Sequence, residues 1–424
     1  MIPKEMDWTE FDKVMAGFEG RAAHTKKKQN VDRSDYLFYE FWAQYLKNIR
    51  KVKEEGKYLV GHAFGVPTEI LYAMDLVPVH MQTCIGMAAV SGSHLNNLNA
   101  ASAIGFTQDA CSVNRLTAGY YMNGMWPKPD LFIGAYNACD GIAKNTDLLR
   151  TLYPDMPFYH FERPYKETEE GIKYLVAQLE EMIEFLEQET HRKLDWNRLE
   201  EHLGYALKMA DLHRKISELR KNVPTPLRSR KVPELELADF YFCGAKIGSD
   251  FYEVVYEEAL KRVKNGESGI ANERYRIISP YVYPTYVWGL VDWLEKQWGA
   301  VHVSELFFSN WGTQELDPKK PLEAIARKMY AHPIVGTQGG SLDTLVPNII
   351  EDAKNYKADA MIWWAHRGCP HGCASINSTS KAMHSLNIPV LELDSDYVDP
   401  NFEPESRMKY KLNTFFEMLD SRNL

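Results

Sequence analysis

The chain repeats itself, and no other feature constrains its fold as tightly. Residues 128–139 read KPDLFIGAYNAC, and residues 357–369 read KADAMIWWAHRGC. Each passes from Lys-x-Asp through an apolar run of strand length to a polar break ending in cysteine. Cys139 lies nine positions after Asp130, and Cys369 lies ten after Asp359. Both apolar runs predict buried strands. Downstream, DGIAKNTDLLRTLYPDMPFYHFE and ASINSTSKAMHSLNIPVLELD each read as a helix, a proline and a further strand. Upstream, Thr107-Gln108 precedes Asp130 by 23 positions and Thr337-Gln338 precedes Asp359 by 22, with glycine and serine in the second copy where the first has Cys111. Earlier still, residues 58–81 and 276–303 both run strand, proline, helix, strand.

Strands alternating with helices predict parallel sheets with helical crossovers. The chain therefore reads as an α/β protein with two related doubly wound lobes, Rossmann- or flavodoxin-like, plus N-terminal and central helical segments. The expected division is an N-terminal helical segment over 1–55, a first α/β lobe over 56–170, a helical connector over 171–270 and a second α/β lobe over 271–424. Residues 171–221 carry apolar residues at helical spacing amid dense charge, which predicts two long amphipathic helices. NVPTPLRSRKVPE, with three prolines, then breaks the pattern, and further helix is expected to about residue 266. In doubly wound folds ligands gather at the carboxyl ends of the strands. Cys139 and Cys369 are placed there.

Composition narrows the function classes. Lys and Arg total 49 against 58 Asp and Glu, a formal net charge of −9, and the summed field of such a chain repels nucleic acid and anionic lipid. There is no run of about 18 apolar residues, and the charged start MIPKEMDWTEFDKV lacks the apolar core of an export signal, so a cytoplasmic location is expected. In a reduced compartment the six cysteines read as buried thiols, metal ligands or catalytic groups rather than as three disulfides. Neither a phosphate-binding G-x-x-x-x-G-K-[ST] loop nor a dinucleotide G-x-G-x-x-G fingerprint is present, so nucleotide hydrolysis by this chain is not expected.

Cys139 and Cys369 at repeat-related strand ends, with Cys111 before a helix of the first lobe, would converge on the cleft between lobes. A cysteine near a strand end is ordinarily a small buried residue. Three in these positions also fit a three-cysteine metal site, and both readings stand on the residues alone. Between metals, the absence of any CxxC pair disfavours structural zinc, whereas three thiolates from distant loops suit an iron–sulfur cubane with one iron left open. Cys373 follows Cys369 at CxxxC spacing with His371 between them. A radical-type CxxxCxxC motif would need cysteine at 376, which is Ile376. Cys373 is therefore expected beside the site rather than in it, and Cys84 and Cys243 are expected in the core. Glu69, two residues after Pro67, opens a helix at a strand end. It either complements the helix dipole or moves protons in the cleft. The acids of DSDYVDP read as a solvated loop or a helix cap, and Trp363 and Trp364 as core.

Four segments together resemble one family. QDACSVNR is similar to its Asp-x-Cys-[Ser/Thr/Ala]-x-x-[Arg/Lys] stretch, YNACDG to its Asn-x-x-Cys segment, HRGC to its Asn-Arg-[Ser/Gly]-Cys, and DSDYVDP to its Asp-x-Asp-x-x-Asp-Pro signature. This is the family of 2-hydroxyacyl-CoA dehydratases and ATP-dependent (class I) benzoyl-CoA reductases, and the resemblance covers about residues 56–424. It implies two α/β lobes with a [4Fe-4S] cluster held by Cys111, Cys139 and Cys369. It also implies a related beta-type partner subunit and a separate ATP-hydrolysing iron–sulfur activator that injects one electron. In a dehydratase that electron converts a 2-hydroxyacyl-CoA to a ketyl radical from which hydroxide departs, and the electron is then recovered. A benzoyl-CoA reductase instead adds electrons and protons to an aromatic ring. Glu69 matches the family's Pro-x-Glu position, implying a proton-handling carboxylate. HAFG stands where many relatives have Phe-Cys, which fits the larger, alpha-type subunit. His366 replaces the usual asparagine. A third reading, of another class, is a non-catalytic electron-transfer or scaffold subunit whose cluster is closed by Cys373 or His371.

Overall fold

The computed structural model describes residues 2–135, 139–281, 283–305, 312, 316–338 and 342–422. Two helices, α1 (Trp8–Lys26) and α2 (Arg33–Lys51), lead into β1 (Leu59–His62), α3 (Thr68–Ala73), β2 (Val77–His80), α4 (Cys84–Ser91), α5 (His94–Ala103), α6 (Ser112–Met122), β3 (Leu131–Ala135), α7 (Asp140–Leu152) and β4 (Phe158–Phe161). Four helices follow: α8 (Glu169–Thr190), α9 (Trp196–Arg220), α10 (Lys231–Phe242) and α11 (Lys246–Asn265). The second half contains β5 (Tyr275–Ser279), α12 (Gly289–Trp298), β6 (Ala300–Glu305), α13 (Pro321–Ala331), a π-helical segment (Pro333–Gln338), α14 (Leu342–Asn355), β7 (Ala360–His366), α15 (Pro370–Ser385), β8 (Val390–Ser395) and α16 (Glu405–Arg422).

The strands form two four-stranded sheets of orders β2-β1-β3-β4 and β6-β5-β7-β8, parallel throughout. The orders are the same, element for element, as the sequence repeat predicts. The switch in strand order falls between β1 and β3 in one lobe and between β5 and β7 in the other. This is where a doubly wound sheet opens a crevice at its carboxyl edge.

Strand β7 shows why these residues form this structure. All seven of its residues are buried. With side chains alternating across the pleat, Met361, Trp363 and Ala365 pack on one face against Ile349 of α14 and Met383 of α15. Ala360, Ile362 and Trp364 pack on the other, against Leu290 of α12 and Phe416 of α16. Helices on both sides of a parallel sheet demand such an uninterrupted apolar run. The two tryptophans are fully buried, as expected of core residues.

The first sheet, α1, α2 and α8 to α11 bury their apolar faces in one continuous core that includes Phe11, Trp42, Val60, Phe132, Leu179, Leu203 and Phe251. Helix α13 belongs by topology to the second lobe, yet Leu322, Ile325, Ala326 and Met329 also enter this core. Phe64, Phe240 and Tyr397 touch both this core and one face of the second sheet.

Candidate functional site

Cys111, Cys139 and Cys369 occupy the same structural position: each is the N-cap of a helix, of α6, α7 and α15 respectively. A helix N-terminus presents unpaired N–H groups and a partial positive charge, which favours a thiolate over a thiol. At Cys369 this takes a concrete form, the Gly372 N–H donating to Sγ at 3.4 Å. The Tyr281 hydroxyl, just past β5, lies 3.7 Å from the same sulfur.

The surrounding contacts tie the two lobes together at these cysteines. Gly368 packs its backbone directly on that of Cys111, where an added Cβ would stand 2.7 Å from the Cys111 Cα. Only glycine permits that approach, which gives HRGC a physical meaning. Helices α6 and α7 are pinned by Asn145, whose Nδ2 donates to the Asn114 carbonyl at 3.1 Å and to Asn114 Oδ1 at 3.2 Å. Asp396 Oδ1 accepts from the N–H groups of Val398 at 2.9 Å and Asp399 at 2.7 Å. The turn so formed brings the Asp399 carboxylate to within 3.6 Å of the Arg115 guanidinium on α6. Asp396 and Asp399 of DSDYVDP thus build an inter-lobe clamp on the Cys111 helix rather than a loop free in solvent.

Burial pushes the Cys111 thiol up to about 12; the helix N–H groups oppose this, and Cys139 and Cys369 add to it. Cys139 and Cys369 are likewise raised, first by burial. The three sulfurs are close enough to feel one another's charge, and as bare thiolates they would repel. A cationic iron centre removes that conflict by binding the deprotonated form. Among the described residues, no set of three or more His, Cys, Asp or Glu side chains is arranged to hold a single metal ion. Three soft sulfur donors at three helix N-termini are the donor chemistry that an iron–sulfur cluster requires. The residues present fit such a group. Cys373, in the first turn of α15, directs its S–H toward the His366 carbonyl at 3.4 Å.

Glu69 occupies a different chamber on the same carboxyl edge. It is fully buried in the first turn of α3, and Lys328 Nζ of α13 lies 2.5 Å from its Oε1. The same ammonium donates to Cys243 Sγ at 3.3 Å. Burial opposes the Lys328 charge, but Cys243, Glu69 and Asp239 together hold its pKa above the ordinary lysine value. Burial raises the Cys243 thiol well above its own ordinary value. Gly244, at φ +80°, lies against the Glu69 side chain. A cavity of about 50 Å³ adjoins the pair, lined among others by His62, Thr68, His80, Lys328 and His332. That volume suits one to a few waters. None of the three N-cap cysteines lines it.

The repeat drew attention to Cys139 and Cys369, and the structure sets both near enough to Cys111 for their charges to act on it. Cys84 is buried as expected, whereas Cys243 belongs to the surroundings of Glu69. Lys328 carried no sequence signal, because nothing in ARKMYAH distinguishes it from a solvated helix lysine. Asn137 of YNACDG and the Gly340 and Ser341 counterparts of Cys111 lie outside the described residues.

A sequence profile of the 2-hydroxyglutaryl-CoA dehydratase D-component family matches residues 63–419. The (R)-2-hydroxyisocaproyl-CoA dehydratase alpha subunit of Clostridioides difficile is 22% identical over 94% of this chain and 97% of its own length. One of the subunits of the benzoyl-CoA reductase of Thauera aromatica is 23% identical over 87% of this chain and 90% of its own. The lactoyl-CoA dehydratase alpha subunit of Anaerotignum propionicum is 20% identical over 88% and 94% respectively.

Proposed function

The chain belongs to the 2-hydroxyglutaryl-CoA dehydratase D-component family, and from that premise we propose that it is the alpha-type subunit of a 2-hydroxyacyl-CoA dehydratase, carrying a [4Fe-4S] cluster on Cys111, Cys139 and Cys369. The observation that supports this most is that these three sulfurs share one place in the fold, each at a helix N-terminus where the lobes meet. When bound, the cluster supplies a Lewis-acidic iron and a path for one electron.

This chain's own residues hold charge and handle protons. The N-termini of α6, α7 and α15 stabilise the thiolates, and the Tyr281 hydroxyl stands over Cys369. The dehydration removes hydroxide from C2 and a proton from C3 of the acyl chain, giving a 2-enoyl-CoA and water. After hydroxide has left C2, the Glu69 carboxylate is the base that takes the C3 proton, and it then passes that proton to the released hydroxide to give water. The names of the relatives, each one subunit of a larger enzyme, support a complex with a related second subunit. An ATP-hydrolysing activator delivers the starting electron, which is recovered at the end of each cycle.

The test is turnover by the anaerobically purified complex with activator and ATP, offered 2-hydroxyacyl-CoA or benzoyl-CoA. The dehydratase reading expects 2-enoyl-CoA at substoichiometric ATP. Dienoyl-CoA formed from benzoyl-CoA with ATP consumed at each turnover would replace it with the reductase reading, which the relationship to the Thauera aromatica benzoyl-CoA reductase favours.

A further inference from the structure

We propose that Lys328, delivered from the second lobe, is the positioning residue of Glu69: it fixes the orientation of that carboxylate and balances its charge inside the fold. The inference rests on the proton-handling role given to Glu69 above.

A fully buried carboxylate is not tolerated without a counter-charge. Lys328 is the cation that reaches it, with Nζ at 2.5 Å. The ammonium is anchored on a second side by Cys243 Sγ at 3.3 Å, so its place does not depend on Glu69 alone. The Cys243 carbonyl in turn accepts from Thr68 Oγ1 at 2.6 Å, one residue before Glu69. His202 of α9 closes the far side through its Nδ1 contact of 2.7 Å with the Gly244 carbonyl. Four segments distant in sequence therefore form one cage: the start of α3, α9, the turn after α10, and α13. The apolar face of α13 is sunk in the first core, which fixes where Lys328 emerges.

The other titratable groups facing the pair are Tyr72 of α3, Cys243, Asp239 of α10, His332 after α13 and His202. Asp239 is engaged by His332 at 2.7 Å and does not displace Glu69 from the lysine. Lys328, Cys243 and Thr68 all line the adjoining cavity, so the cage borders that space from the lysine side. A purely structural ion pair would stabilise the fold and leave turnover indifferent to the identity of the cation. A positioning cation makes turnover depend on a positive charge at this point.

The test compares E69Q, K328M, K328R, K328A and the E69Q/K328M double variant in the assembled complex, with melting temperature and steady-state kinetics both measured. Melting shifts of E69Q and K328M are expected to be non-additive in the double variant. K328M should lower kcat by about 100-fold or more with KM little changed, the range of a positioned acid–base group. K328R should recover part of that loss. Ethylammonium should revive K328A saturably, and ethanol of similar size should not. If K328M fails to assemble, K328R and amine-supplemented K328A still decide the matter. Wild-type turnover in K328M alongside an inactive E69Q would overturn the role of Lys328 alone. Wild-type turnover in E69Q with melting shifts still coupled would overturn the catalytic role of Glu69, and with it that of Lys328. Additive melting shifts would overturn the pairing itself.

Discussion

At Gly368 the missing side chain is what allows the second lobe to reach Cys111. An alanine there would press on the Cys111 backbone at 2.7 Å, with no flexible atom to yield. Gly368→Ala is expected to retain helical content by circular dichroism and lose most of its iron and acid-labile sulfide; an unchanged cluster content would refute the close approach. Glu305, at the end of β6, offers a different test. It is fully buried, and burial pushes its carboxyl from 4.5 to about 8, with Arg220 pulling the other way. Between those values the folded protein holds a proton that the unfolded chain releases. This group's contribution to stability is therefore greatest below the unfolded value and is lost as pH rises toward the folded one, at up to about 1.4 kcal/mol per pH unit. Glu305→Gln is expected to flatten the fall in denaturation free energy between about pH 5 and pH 8. Parallel slopes in variant and wild type would contradict the burial argument.

Among the elements, β7 is buried along all seven of its residues and packed from both sides. Trp364→Ala removes a side chain wedged between α12 and α16, at an expected cost of about 3–5 kcal/mol in urea denaturation; a cost below 1 kcal/mol would mean that this face collapses freely. The same strand shows what was legible in advance. Its continuous apolar run, and the matching run at β3, gave away two buried parallel strands and the cysteine after each, because a doubly covered sheet leaves that imprint directly in sequence. The long helices α8 and α9 were equally plain, since their charged faces alternate with a buried stripe. The role of α13 was not legible. Its place in the chain assigns it to the second lobe, while its apolar face is claimed by the first core, and only that packing turns an ordinary lysine into the partner of Glu69. The turn of DSDYVDP was hidden for a related reason. Its acids look solvated until Arg115, nearly 300 residues earlier in the chain, is brought against Asp399.

In the whole molecule, two copies of one strand order meet where the N-termini of α6, α7 and α15 carry the three cysteines, while the clamp from Asp399 and the cage from Lys328 join the lobes at two further points. Duplication of the fold thus supplies two cysteines by repeat and leaves the third, Cys111, to the first copy. None of the described helices is long and apolar enough to cross a membrane, and the net charge of −9 weighs against a nucleic-acid partner. On the proposed function, these three cysteines, and not Cys373, hold one cluster. That assignment is tested most directly by iron and acid-labile sulfide analysis of the anaerobically purified complex carrying C111A, C139A, C369A or C373A in this chain. A full cubane complement attributable to this subunit is expected in the wild type and in C373A, with loss in each of the other three. Retention in any of those three, or loss in C373A, would contradict the account.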